Sequence, residues 1–384
     1  MTPVIKTTDN LLLCALTALV VLRILMVAGF VADIPPVQHT GWQFHCGGGD
    51  QILYFNMAQS FAALSPIKEK YPVGFPLLLT PLVLFFKPAV WQDLVMPVVM
   101  FHTMLALISI YLVGYITKAL TKSTSLSILS ALLWTLLPYL IYFLAGFFNA
   151  AWLRNTYVSY AMWFAMLSDP STAFFLLLNV YVYFLSLKKD HGASLAGIIA
   201  GITASIRVTS FMYAAVFAFG YLLNRRYRSA LIFIMAIAIT LIPQFVYNVY
   251  FNDGLFTYGY TQEVERRELF FSVQYAADFM VYLLSKHQVI FWMCLVFAMV
   301  VPIGVRYAFH AERRQWAILL ALLYVHVVVY SAWWAFTSDF IRYVLPVVPL
   351  GIISAVGLIG ALQIYTGRSG AQTEMGGIFS KSKL

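Results

Sequence analysis

Hydrophobic and polar positions segregate along this chain into long blocks. A membrane-crossing helix needs about 20 apolar residues, and runs of that kind fall at 11–33, 94–117, 124–147, 168–187, 229–251, 287–309, 315–336 and 341–365. The stretch from Leu77 to Phe86 is too short to cross and is expected to lie at the interface or re-enter. The run from Ala193 to Leu223 is too long for one crossing and holds Arg207 near its middle. The first run, Leu11 to Ala32, is too long for a signal-peptide core and lacks a small-residue cleavage site, so a retained helix is expected there.

Charge placement orients these runs. Lys188 and Lys189 precede the Ala193–Leu223 run, and Arg225, Arg226 and Arg228 follow it. Basic clusters at both ends put both ends on the cytoplasmic side, so two short helices meeting at the outer face are expected. The result is an all-α polytopic membrane protein of about ten spans, with both termini cytoplasmic. Fourteen Lys or Arg then fall inside and eight outside, whereas eleven of the fifteen acids fall outside. The long outer loops, 34–93, 148–167 and 252–286, therefore direct attention to the outer face. Residues 1–366 are expected to form one transmembrane domain, the first outer loop carrying short juxtamembrane helices, and 367–384 a disordered cytoplasmic tail.

Composition agrees. Of 384 residues 62% are hydrophobic and 10% charged, where soluble proteins have about a quarter charged. With the net charge of +9 explained by sidedness, nucleic acid is not expected as a partner. Cys14, Cys46 and Cys294 form neither a disulfide framework nor a zinc spacing.

Against this apolar background the segment from His39 to Pro76 stands out. It contains HCGGGDQILYFNMAQSF and then KEKYPVGFP. Asp50 follows three glycines and opens a stretch in which Tyr54 and Ala58 recur at helical spacing. A carboxylate there is stabilised by the helix dipole; it can serve as an N-cap or as a general base beside an acceptor. His45 flanks it. Lys68, Lys70 and Tyr71 sit beside a Pro/Gly turn, where a lysine either snorkels toward headgroups or contacts a phosphate as a point charge.

Further along, Asp169 in LSDPSTAFF is expected as a helix cap with Pro170 at the first helical position. Arg207 in TASIRVTS is costly in an apolar hairpin, and such residues mark cavities or function. Arg342, with Tyr343 after it, opens the last span on the same side. A guanidinium grips phosphate in bidentate fashion, so Lys70, Arg207 and Arg342 are candidate donor-phosphate contacts. Arg23, deep in the first span, is expected to partner a polar group. His102 and His326 are expected as core histidines, and EVERRE at 263–268 as a solvated face.

Asp50 with Tyr54 and Ala58 just after the first span resembles the acidic first-loop motif of the GT-C membrane glycosyltransferases. The likeness is to the branch of protein O-mannosyltransferases and the lipid A aminoarabinose transferase. KYPVGFPLL, LSDPSTAFF, AGIIAGITASIRVTS, YNVYFNDGLFTYGY and YSAWWAFTSDFIRYVLPVVP resemble that family's later segments in order. The resemblance implies a sugar donor on a polyprenyl phosphate, and a lipid, glycan or protein acceptor entering from outside. It also implies Asp50 as catalytic base and a place in a bacterial inner membrane. A phosphate leaves readily, so one base and several cations suffice. Tyr54, Tyr71, His45, Lys68, Asp169 and Tyr343 are then supporting residues. The resemblance points to no particular cofactor, and assistance by a divalent metal is left open. Where many relatives carry a second acid this chain has Gln51, and the Lys-Pro-Pro of the lipid A branch is Lys-Tyr-Pro here. The alternative class, a lipid-sugar flippase or transporter, is expected to show internal repeats and a midplane site; no repeat is visible.

Overall fold

The structure, a computed structural model, describes residues 3–32, 50–69, 71–147, 166–187, 192–257, 309, 312–331 and 344–380. The helices are α1 (Pro3–Ala32), α2 (Asp50–Ala62), α3 (Gly74–Phe86), α4 (Val95–Thr121), α5 (Thr124–Phe147) and α6 (Ser168–Ser186), then α7 (Gly192–Ile206), α8 (Phe211–Leu223), α9 (Tyr227–Thr240), α10 (Ile242–Asn252), α11 (Arg313–Ser331) and α12 (Val348–Ser380). Among the described residues every regular element is helical. Among these described residues three helical stretches are long and apolar enough to cross a membrane: Asp9–Gly29, Trp91–Thr121 and Leu345–Thr366. The all-α membrane architecture follows. The expected ten crossings do not follow from length alone, and residues 287–308 of the span expected over 287–309 lie outside the described residues.

One expected span is broken. The run 229–251 divides into α9 and α10, which meet at Leu241 with a bend of 46°. Pro243 lies in the first turn of α10, where a missing N–H is tolerated; inside a continuous helix its ring would clash with the preceding turn. An apolar run reports burial and not straightness, so hydropathy alone does not find this break.

The run over 193–223 folds back on itself. Arg207 interrupts it with extended backbone, φ −148° and ψ 114°. At 1.5 Å per residue, α7 and α8 each reach only about 20 Å, short of a full crossing. Contacts with α6 give their directions: Arg207 reaches Asp169 at the start of α6, while Tyr221, near the end of α8, shares a hydrogen bond with Ser186 at the end of α6. Arg226 Nη1 donates to the Ser186 carbonyl at 2.9 Å. Both ends of the pair therefore lie together and its apex lies at the opposite end of α6. Small residues bring α7 against α9: Gly197 meets Phe233 and Ala236, and Gly201 meets Thr240, the close approach that packs helices in lipid.

The two ends of the bundle differ in chemistry. One gathers Lys122, which pairs with Glu312 at 3.0 Å, and Arg314, whose Nη1 donates to Asn224 at 2.8 Å; Arg226 and Arg228 lie at the start of α9 nearby. The other holds Asp50, Asp169 and the apex at Arg207. If the basic end faces the cytoplasm, single cysteines placed at the exposed Lys68 and Arg228 label from opposite sides of sealed vesicles. Lys68→Cys and Arg228→Cys, in a variant with Cys14, Cys46 and Cys294 replaced by serine, test this with a membrane-impermeant maleimide. Labelling of both from one side would contradict it.

Arg23 is buried within α1; its Nη1 donates to the Thr135 carbonyl at 2.7 Å, and its guanidinium lies 4.8 Å from the centre of the Tyr139 ring. The last helix, α12, continues past Thr366 to Ser380, through the stretch whose composition reads as a tail.

Candidate functional site

The site is assembled where the first loop meets the start of α6. Asp50 opens α2 and is half-buried, so its carboxylate sits at the positive end of the helix dipole. The Tyr71 hydroxyl donates to Asp50 Oδ1 at 2.6 Å, a short charge-assisted bond. Tyr54, one turn along α2, places its ring centre 4.7 Å from that of Tyr71 and 5.0 Å from that of Phe75. An aromatic wall thus holds the phenol that addresses Asp50.

Two bonds fasten α2 to α6 and to the residue pair just before it. The Tyr54 hydroxyl donates to Ser168 Oγ at 3.5 Å, at the limit of bonding distance. Gln51 Oε1 accepts from the Met166 amide at 2.9 Å. Gln51 is buried and ties α2 to the residues before α6.

Beside this contact lies an ion pair. The Asp169 carboxylate accepts from Arg207 Nη1, with the Asp169 side chain fully buried and that of Arg207 12% exposed. The sequence reading of Asp169 as the cap needs correcting: Leu167 holds the cap position, the helix starts at Ser168, and Asp169 lies within the first turn. Its carboxylate turns to Arg207, and Pro170 is tolerated within the first turn because amides there need no helical acceptor. Tyr330 of α11 closes the other side of Arg207, its ring centre 5.7 Å from the guanidinium carbon and its hydroxyl 2.6 Å from Thr209 Oγ1.

Gly74 sets how closely α3 approaches this apex. A Cβ there would collide with the Ser205 carbonyl carbon and the Ile206 amide, backbone atoms at the end of α7 that cannot swing aside. Gly74→Ala is expected to cost about 1–3 kcal/mol, as overpacking does, read as a lowered unfolding midpoint in detergent. An unchanged midpoint would show that α3 and α7 separate without cost.

The expected residues are therefore distributed as follows. Asp50, Tyr54 and Tyr71 are in mutual contact, and Asp169 and Arg207 are paired next to them. Lys68 is exposed on the segment between α2 and α3. His45, Lys70, Arg342 and Tyr343 lie outside the described residues. Arg207, expected as a phosphate contact, already meets a carboxylate. His102 packs between Phe75 and Phe101, and His326 stacks on Tyr213, whose hydroxyl is bonded to Nδ1; both are core residues. Among the described residues no group of three His, Cys, Asp or Glu side chains is placed to hold a metal ion.

Sequence reasoning did not single out Ser168, Tyr330, Gln244 or Tyr247. Ser168, Tyr330 and Tyr247 lie inside segments quoted above for their resemblance, and Gln244 lies just before one of them. Their neighbours are distant in sequence, so no local pattern marks them.

No protein-family model matches the chain, and no curated protein matches it. Among solved structures it is similar to a chain in the crystal structure of the Archaeoglobus fulgidus oligosaccharyltransferase complex with Zn and sulfate. The identity is 13% and the TM-score 0.45, over 87% of this chain and 47% of that one. The chain thus spans about half the length of the structure it matches. A likeness of that grade transfers no residue role and no reaction to this chain.

Proposed function

We propose that this chain is an integral membrane glycosyltransferase that moves a sugar from a polyprenyl-phosphate donor to a lipid, glycan or protein acceptor on the outer face, with Asp50 as general base. The observation that carries the reading is the half-buried Asp50 carboxylate at the start of α2, fixed by the Tyr71 hydroxyl at 2.6 Å, at the end of the bundle opposite the basic cluster. In the reaction the acceptor hydroxyl attacks the anomeric carbon, the bond from that carbon to the phosphate oxygen breaks, and the hydroxyl proton passes to Asp50. The electron pair leaves on the polyprenyl phosphate. A base positioned in this way contributes to rate only within reach of the proton it takes, and the Tyr71 bond fixes the orientation of the carboxylate.

The leaving phosphate gathers charge that cations stabilise. Arg207 is the described candidate, held by Asp169 and Tyr330 in a fixed orientation; Lys70 and Arg342 are the other two candidates from the sequence. Membrane lipids surround the exposed apolar faces. Extraction of lipid from protein purified in mild detergent, followed by mass spectrometry, tests the donor class: a co-purifying polyprenyl phosphate is expected. Its absence, even after incubation with added polyprenyl phosphate, would count against the proposal.

A further inference from the structure

The chain between α2 and α3 must supply Tyr71 to Asp50, yet it belongs to no helix. Backbone amides and carbonyls in such a stretch need partners when buried. They find them on one face of α10. The Glu69 amide donates to the Tyr247 hydroxyl oxygen at 2.7 Å, and that hydroxyl donates onward to the Ile67 carbonyl at 2.8 Å. The Val73 amide donates to Gln244 Oε1 at 2.8 Å. Tyr71 lies between the two grips, two residues from each.

The grips are themselves fixed. Gln244 is buried, and its Nε2 donates to Asn248 Oδ1 at 2.8 Å; Asn248, also buried, donates from Nδ2 to the Leu255 carbonyl at 3.0 Å. Each amide is thus bonded at both its oxygen and its nitrogen, and the relay runs in one direction from Val73 to Leu255. Rotating either amide would break two bonds. Gln244, Tyr247 and Asn248 stand at i, i+3 and i+4, one face of a helix. The Tyr247 ring is held by Phe61 at 6.3 Å and by Phe251 at 4.8 Å. The 46° bend at Leu241 re-aims α10 away from the axis of α9, while Val246, Val249 and Tyr250 on its other side are exposed.

We propose that Gln244 and Tyr247 are positioning residues that set the Asp50–Tyr71 contact by holding the backbone at Ile67, Glu69 and Val73. The inference rests on the reading of Asp50 as the base, and it extends that reading to residues about 180 positions away in sequence that reach the base through the segment carrying Tyr71. A bond of 2.6 Å between two side chains from different segments depends on the backbone that carries them, and a shift of about 1 Å is enough to cost a hundredfold in rate.

Tyr247→Phe removes the hydroxyl and keeps the ring, so packing against Phe61 and Phe251 survives; Gln244→Met removes the acceptor at similar volume. Three readouts on the full chain in nanodiscs test the proposal. Hydrogen exchange of the peptide spanning residues 67–73 is expected to quicken about tenfold in Tyr247→Phe, the scale of one lost hydrogen bond, with α4 and α6 unchanged. A fluorine label on Tyr71 is expected to move its resonance toward the position it takes in Asp50→Ala, which removes the acceptor. Transfer from a panel of polyprenyl-phosphate hexoses and pentoses is expected to lose about tenfold in kcat with KM little changed, and to lose nothing more when Tyr247→Phe is added to Tyr71→Phe.

Unchanged exchange or an unmoved resonance overturns the proposal, as does an equal loss of kcat in the presence and absence of the Tyr71 hydroxyl. The first two readouts need no turnover. If the wild-type protein transfers none of the donors, the function proposed above fails, while exchange and the fluorine resonance still decide whether α10 positions Tyr71. Should Gln244→Met fail to fold, Tyr247→Phe alone carries the test.

Discussion

Asp50→Asn is expected to lower the turnover of sugar transfer by about 10²–10⁴-fold, the range for loss of a general base. The substitution is informative because it changes so little else. Asparagine begins a helix as well as aspartate does, so α2 keeps its start. Its side-chain oxygen still accepts from the Tyr71 hydroxyl, so the contact at 2.6 Å has a successor. What disappears is the ability to take a proton at neutral pH. Donor affinity is therefore expected to stay within a few-fold of wild type while kcat falls, the signature of an interaction made in the transition state. Kinetics with a polyprenyl-phosphate sugar, together with donor binding measured separately, check both halves. A full-speed Asp50→Asn enzyme would remove Asp50 from the reaction.

The second large effect concerns stability. Arg207→Ala leaves the fully buried carboxylate of Asp169 without its described cation, and breaking a buried pair from one side costs about 3–5 kcal/mol. The expected result is a large drop in the unfolding midpoint in detergent. Adding Asp169→Asn should recover part of it, because the orphaned charge is gone. The double variant also separates two roles of Arg207. If the guanidinium touches the donor phosphate as well as Asp169, stability returns in the double variant and donor affinity does not. A single Arg207→Ala variant as stable as wild type would show that the pair contributes nothing to the fold.

These two residues also mark how far the sequence could be read. Arg207 was legible: an arginine amid GIIAGITAS, with basic clusters beyond both ends of the run, predicts a helical pair with its apex at the charge, and the contacts of Asp169 and Ser186 with the two ends of that pair give this arrangement. Asp50 was legible as a helix start in a polar loop. Its partner was not. Nothing in KEKYPVGFP says that Tyr71, rather than Lys68, turns toward the carboxylate; that depends on α10 holding the backbone from residues in the 240s. The Asp169–Arg207 pair was missed for a related reason. The cap reading used only local rules, and a carboxylate with a buried cation available from another helix has a stronger alternative than its own helix amides.

Other differences trace to what hydropathy measures. The stretch 229–251 is continuously apolar, so a single span was expected; Pro243 ends α9 near Leu241 and starts α10 at a new angle, without changing the apolar count. The same bend brings Gln244 and Tyr247 to the first loop. A polar residue within an apolar run is commonly read as tolerated, whereas here Gln244 and Asn248 form a buried relay with every side-chain polar atom engaged. The proposed roles of His45, Lys70, Arg342 and Tyr343 rest on sequence, since these residues lie outside the described part of the chain.

The most direct measurement is transfer by the purified wild-type protein in liposomes, supplied with a panel of polyprenyl-phosphate hexoses and pentoses and a membrane extract as the source of acceptor. Release of free polyprenyl phosphate, matched by sugar appearing on the acceptor and abolished in Asp50→Asn, is the predicted result. No release with any donor, or equal release by the Asp50→Asn protein, would contradict it.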